Sequence, residues 1–384
     1  MQLTAQLLLL AHSDRPTAAE VHTRLDGIPL ERASLPTTLR VSMLLCLPVF
    51  LSGPSVSEGS LHSAALPKPA ETRQPPRTDA PTASIVTDAD SLFRAFGDAL
   101  DQQGLDEARE LLVRTEALPS TPLIVAKRHQ KQADLALEEG RLQEARTLYD
   151  AARKQFPILS ARADGAASTI READVLLHLG DMQTASSLYE AATREHTVAH
   201  LHNQGPRNFE VHLAFFHYGR CLLQARRFDE ARTILRTARD AVPAAQPLWM
   251  ARTEERLAAI PGGTDSLSLA RSALSFAKDA RAQQPKSRRT LMALLRAEHR
   301  YALLTGETKD IDAVFATLQA EWSADKRRAL LAHDYLELLM ESWASYPQRR
   351  DWQQQARAIL QEISSRKQWS GDVHLLAWKK RLSP

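Results

Sequence analysis

The sequence predicts an all-α fold: a solenoid of helical hairpins, set behind a disordered Pro-rich linker and a short N-terminal helical element. Three observations carry that reading. First, a pattern recurs three times, as GRLQEARTLYDAARKQFP over Gly140–Pro157, GDMQTASSLYEAATREH over Gly180–His196 and RRFDEARTILRTARDAVP over Arg226–Pro243. Each copy places Ala, then Tyr or Leu four residues on, then Ala three further, which is one tightly packed stripe of a helix. Second, aromatic residues are scarce at 6% while Ala and Leu dominate the second half, a composition that favours closely packed helices over sheets. Third, from Asp88 onward helical patterning is almost continuous, with Thr87, Asp88 or Asp90 available as the first N-cap.

Composition narrows the function classes. The chain of 384 residues has 25% charged and 43% hydrophobic side chains, the balance of an ordinary soluble protein. A net charge of +3 is too small to imply nucleic acid by itself. Cys46 and Cys221 are the two cysteines, so neither a disulfide framework nor a cysteine zinc site can be built within one chain.

Residues 1–52 contain two apolar runs, Leu7–Leu10 and Val41–Leu51. The second fits the apolar region of a secretory signal, with Arg40 before it and Ser55-Val56-Ser57 as a small-residue cleavage site. That reading requires a true start further downstream. Interrupted by Pro48, the run is too short to span a bilayer. The localisation leans cytoplasmic, with an exported or membrane-associated form through residues 41–51 as the alternative. The same zone also reads as three helices: Leu3–His12, Pro16–Leu25 and Leu35–Leu47. Its stretch AQLLLLAHSDRPTAAEVHTRL, followed by SLPTTLRVSMLL, resembles the opening helices of winged-helix repressors of the ferric uptake regulator family, with Ser34, Leu35, Thr37 and Arg40 in register. The resemblance implies that Arg40 contacts a base or phosphate; a solvated Arg on an amphipathic helix is the plainer alternative. No wing hairpin and no His/Cys cluster follows. Residues 53–87 carry Pro67, Pro69, Pro75, Pro76 and Pro81 among Ser, Thr and Ala, without the hydrophobic periodicity that would offset the entropy of ordering, and are expected to be a linker.

Residues 88–384 resemble the tetratricopeptide repeat family, whose unit is a helix pair of about 34 residues with small residues where the helices cross. The matching positions are Ala133, Ala145, Tyr149, Ala152 and Pro157, then Ala173, Ala185, Tyr189 and Ala192. A further set is Phe215, Tyr218, Gly219, Phe228, Ala231, Leu235, Ala238 and Pro243. Weaker units contain Ala108 with Leu112, Ala270 with Leu274 and Ala277, and Ala356 with Leu360 and Ile363. Arg289 to Ala320 must hold another pair, for which neither Ile311 nor Ala313 gives a clean register. The crossing alanines Ala108, Ala145, Ala185, Ala231 and Ala270 are 37, 40, 46 and 39 residues apart, so the helices are longer or the turns carry insertions. The expected assembly is a right-handed stack of about seven hairpins.

A single hairpin cannot bury its apolar stripe, whereas a stack can, and its curvature leaves an inner groove lined by the first helices. By register that groove presents Lys127, Gln130, Asp134, Asp174, Arg220, Gln224, Arg252 and Glu255, a mixed-charge surface suited to a peptide or partner helix. No catalytic motif survives inspection, and no cofactor is expected. Pro261-Gly262-Gly263-Thr264 lacks the Lys-Ser/Thr ending of a phosphate loop. His196, His200 and His202 have metal-compatible spacing without the acid of a hydrolytic motif, and read as exposed residues of an insertion. Trp322, Trp343, Trp352, Trp369 and Trp378 lie among basic clusters, with 18 basic against 12 acidic side chains over residues 281–384. A capping core covered by snorkelling cations outweighs a nucleic-acid face there. The sequence therefore points to a non-catalytic interaction scaffold with a protein or peptide partner; the alternative is a transcriptional regulator with an N-terminal DNA-binding element and a helical-repeat sensor domain.

Overall fold

The computed structural model describes residues 82–156, 162–203, 209–243, 245–366 and 369–382, all within the unit Ala80–Pro384. The expectations for residues 1–81, including the ferric-uptake-regulator resemblance, Arg40, the signal-like run and most of the linker, lie outside the described residues. Helices occur in the order α1 (Thr82–Asp98), α2 (Leu105–Arg114), α3 (Pro122–Glu138), α4 (Leu142–Gln155), α5 (Arg162–His178), α6 (Met182–Asn203), α7 (Phe209–Gln224) and α8 (Phe228–Ala241). They continue with α9 (Pro247–Ala258), α10 (Ser266–Gln283), α11 (Arg288–Thr305), α12 (Thr308–Ala324), α13 (Ala329–Ser345), α14 (Arg350–Ser365) and α15 (Val373–Leu382). A single π-turn, Ala99–Gln103, joins α1 to α2. Consecutive helices pair from α1·α2 to α13·α14, giving seven hairpins with α15 as a lone terminal helix. The array begins at Thr82, inside the segment read as linker: Phe96 of α1 and Ala99 of the π-turn pack with Leu105, Ala108 and Leu111 of α2, and Phe93 packs with Ile124 of α3.

Local chemistry sets the helix ends. Thr121 caps α3 by accepting the Ile124 N–H at 3.3 Å, with Pro122 in the first turn. Ser287 caps α11 by accepting the Thr290 N–H, and Gly306 closes that helix in the left-handed region at φ 81°. The crossing positions are tightly closed: Ala108, Ala145, Ala185, Ala231 and Ala270 are fully buried, and a Cβ on Gly219 would lie 2.6 Å from Leu235. Two hairpins share a polar lock. The Tyr149 hydroxyl donates to Asp134 and the Tyr189 hydroxyl to Asp174, both at 2.6 Å, from the second helix to the first of the same pair.

The hairpin between 289 and 320 is α11·α12, and its register runs through Ile311, Phe315 and Leu318, all buried. These occupy the places that Ala145, Tyr149 and Ala152 take in α4, with larger residues where the other hairpins use alanine. The stack then winds far enough to meet itself. The largest core joins Ala133, Leu137 and Tyr149 of the second hairpin to Leu336, Leu339 and Trp352 of the seventh and to Leu375 of α15. Arg328 Nη1 donates to the Leu100 carbonyl at 2.9 Å, and the Trp369 N–H donates to the Gly140 carbonyl at 2.9 Å. Trp322, Trp352 and Trp369 are buried in that core, and Trp343 and Trp378 pack partly against it. The C-terminal tryptophans thus serve closure of the stack.

Candidate functional site

Because the array turns back on itself, its concave side encloses a cavity of about 220 Å³. Apart from Leu100 and Asp101 of the π-turn and Arg328 at the head of α13, its walls come from the first helices of hairpins two to seven: α3, α5, α7, α9, α11 and α13. The inner layer therefore lines the groove, as stacking physics requires. The second helices, with their Ala-Tyr-Ala stripes, form the outer layer.

The lining is strongly cationic. Arg171 of α5, Arg220 of α7, Arg252 and Arg256 of α9, Arg288, Arg289 and Arg296 of α11, and Arg328 face four carboxylates, those of Asp101, Glu138, Glu255 and Asp334. Several arginines are neutralised within the wall. Arg296 holds Asp334 and Glu337, each at 2.5 Å, Arg256 holds Glu255 at 3.2 Å and Glu337 at 3.4 Å, and Arg289 Nε stands 3.9 Å from Asp101.

Arg252 differs from these. Its guanidinium lies 4.5 Å from the Trp249 ring centroid and 5.1 Å from that of Phe216, and no ion pair links it to a carboxylate among the described residues. Burial, reinforced by the like charges of Arg220, Arg256, Arg171 and Arg296, pushes it down to about 9. Arg288 likewise keeps Nε and Nη1 buried without a hydrogen-bond partner, and Arg328 keeps Nη2 so. Across the cavity, burial raises the Glu138 carboxyl to about 7 against the opposing pull of Arg288 and Arg289. The protonated form of Glu138 deepens the positive excess below neutrality.

Three of the residues read from the sequence, Arg220, Arg252 and Glu255, line this cavity. The others lie elsewhere on the first helices. Lys127 pairs with Asp90 of α1 at 2.8 Å. Gln130 is buried and donates to the Ser168 hydroxyl of α5 at 3.0 Å. Asp134 accepts from Tyr149 and pairs with Lys131 at 3.2 Å. Asp174 accepts from Tyr189 and stands 3.0 Å from His217 Nδ1 and 3.8 Å from Arg220, so it braces the wall from behind. Gln224 is exposed at the end of α7. Sequence reading missed Arg171, Arg256, Arg288, Arg289, Arg296 and Arg328. Arg256 sits one turn after Arg252 on α9, so the register that reaches Arg252 also reaches it, and Arg289 and Arg296 sit two turns apart on α11, a spacing legible once that helix's register is assigned. His196, His200 and His202 fall on α6, with side chains outside the described residues.

Residues 131–200 and 203–246 match the family model described as tetratricopeptide repeat. No curated protein matches the chain. Among solved structures, one titled as the Rap protein complexed with competence and sporulation factor is similar at 13% identity and a TM-score of 0.48, over 78% of this chain and 98% of that one. The repeat match falls on the second, third and fourth hairpins, whose second helices carry the stripes Ala145-Tyr149-Ala152, Ala185-Tyr189-Ala192 and Ala231-Leu235-Ala238. Residues 131–246 therefore carry tetratricopeptide repeats, and the hairpins before and after them continue the same helix-pair geometry.

Proposed function

We propose that the protein is a non-catalytic interaction scaffold whose inner groove takes an acidic peptide segment of a protein partner. The observation that supports this reading is Arg252, a guanidinium held among four others with no ion pair to a carboxylate among the described residues. Such a charge is unfavourable in the free protein and becomes favourable when an anion enters. A carboxylate is the matching group, since guanidinium forks bind it in bidentate fashion. The cavity volume suits one or two acidic side chains or a chain terminus. It lies below the roughly 300–1,000 Å³ of sites that enclose a whole small molecule, so the rest of the peptide would lie along the first helices.

The test is fluorescence anisotropy with labelled peptides of equal length and of acidic, neutral or basic composition. The acidic peptide should bind, weaken with added salt, and lose binding on joint charge reversal of Arg220 and Arg252. Equal binding of all three compositions, or acidic binding untouched by the reversal, would refute the reading.

A further inference from the structure

A second constellation lies outside the groove, at the seam where α15 closes on the stack. His178 ends α5, His333 lies on α13, and Asp372 and His374 open α15. Asp372 is fully buried and divides its two oxygens between different tasks. Oδ1 accepts the Leu375 N–H at 2.8 Å and so caps α15. Oδ2 faces the histidines, 2.8 Å from His178 Nδ1 and 3.9 Å from His333 Nε2. The second distance is too long for a hydrogen bond, and His333 Nε2 is buried without a partner although the residue is only 8% exposed. His374 Nε2 is buried and unpartnered as well.

We infer that His178, His333 and Asp372 form a site for a divalent transition metal ion of the zinc class, with His374 the nearest candidate for a fourth ligand. The donor atoms of the first three lie within 4.8 Å of one another. Ligands about 2.0–2.2 Å from a tetrahedral zinc stand roughly 3.3 Å apart, so side-chain adjustment brings this set into range. The imidazole planes of His178 and His333 stand at 87° with centroids 4.7 Å apart, and the His374 ring is 6.0 and 5.8 Å from them. Two imidazoles and a carboxylate form a donor set that zinc accepts, unlike the oxygen-only shells of calcium or magnesium.

The surroundings suit a structural ion. Trp369 packs on His178 at 4.7 Å and on His333 at 5.1 Å, and Trp378 lies 4.9 Å from His333, forming an apolar shell of the kind that limits solvent access to a metal. Since the ligands come from α5, α13 and α15, an ion here would tie the third hairpin to the seventh and to the terminal helix. It would hold the closed stack independently of what the groove binds.

The test uses the full chain stripped with a chelator and then titrated with zinc by calorimetry, and with cobalt by visible absorption and tryptophan fluorescence. One ion per chain is expected, with tetrahedral cobalt bands and fluorescence quenching through Trp369 and Trp378. His333→Gln and Asp372→Asn should each lower affinity by about a hundredfold with helical circular dichroism retained. Joint replacement of His196, His200 and His202 by Gln should leave it unchanged. Absence of saturable uptake by the native chain would overturn the inference, as would uptake indifferent to both single variants or lost in the triple one.

Discussion

Replacing Arg252 with methionine is expected to make the free protein more stable while removing its affinity for acidic peptide. Burial and four neighbouring guanidiniums lower this residue from the ordinary 12.5 to about 9, and each tenfold corresponds to about 1.4 kcal/mol. The direction matters: a base whose folded value is depressed carries its cost at every pH below about 9, and sheds it only as pH rises from there toward 12.5. The full shift corresponds to about 5 kcal/mol, an upper bound that solvent reaching this half-buried side chain reduces to roughly 2–3 kcal/mol. Methionine keeps the apolar packing on Trp249 and Phe216 but forfeits the cation–π attraction, about 1–2 kcal/mol. The net gain is about 1 kcal/mol, or a rise in melting temperature of roughly 2–4 °C. Thermal circular dichroism without ligand, paired with peptide anisotropy, measures both halves. A lower melting temperature with unchanged peptide affinity would show that Arg252 is an ordinary structural cation, and would remove the basis of the anion-seeking groove.

Three further outcomes are expected. Gly219→Ala places a Cβ 2.6 Å from Leu235 and should cost about 1–3 kcal/mol by overpacking; a compensating Leu235→Val should recover part of the loss in thermal melts, and no loss at all would contradict the close crossing of α7 and α8. Burial pushes His212 down to about 4 and His299 to about 3. Each therefore contributes stability that is whole above about 6.5 and is lost as pH falls from there to the folded value, at most about 3 kcal/mol for His212 and about 5 kcal/mol for His299, so the denaturation midpoint should drop as pH falls below 6.5 and drop less in His212→Gln. Glu138, raised to about 7, should weaken acidic-peptide binding by about fivefold as it ionises between pH 6 and 8, and Glu138→Gln should flatten that dependence in anisotropy titrations.

What the sequence makes legible is the local half of the design. An Ala-Tyr/Leu-Ala stripe is visible because three positions spaced four and three residues apart define a helix face, and the faces of α4, α6 and α8 are closed as that pattern requires. The α12 register is opaque because Ile311, Phe315 and Leu318 meet the same geometric need with bulk in place of small size, leaving no motif to match. The groove is harder still. Gln130 shares the inner-layer register with Arg220, yet the Ser168 hydroxyl of the next hairpin binds it, and a periodicity read on one helix contains nothing about its neighbour. Closure is legible nowhere in sequence, since it depends on pairs such as Arg328 with the Leu100 carbonyl and His178 with Asp372, whose separations exceed any repeat.

Closure is what makes an inner face rich in arginine and sparing of acid costly. In an open superhelix each guanidinium on a first helix would face water and cost little. Once Arg328 docks on Leu100 and the seventh hairpin packs on the second, the same residues share one enclosed volume, where the repulsion among Arg252, Arg220 and Arg256 is poorly screened. The wall carboxylates of Glu255, Asp334 and Glu337 offset part of it, which is why Arg296 and Arg256 are ion-paired. The residue of uncompensated charge at Arg252 and the bare nitrogens of Arg288 then oppose closure in the absence of an anion. An acidic segment entering the groove and a metal ion at His178, His333 and Asp372 would thus favour the same closed state by separate routes: the first relieves repulsion inside the ring, and the second adds bonds across its seam.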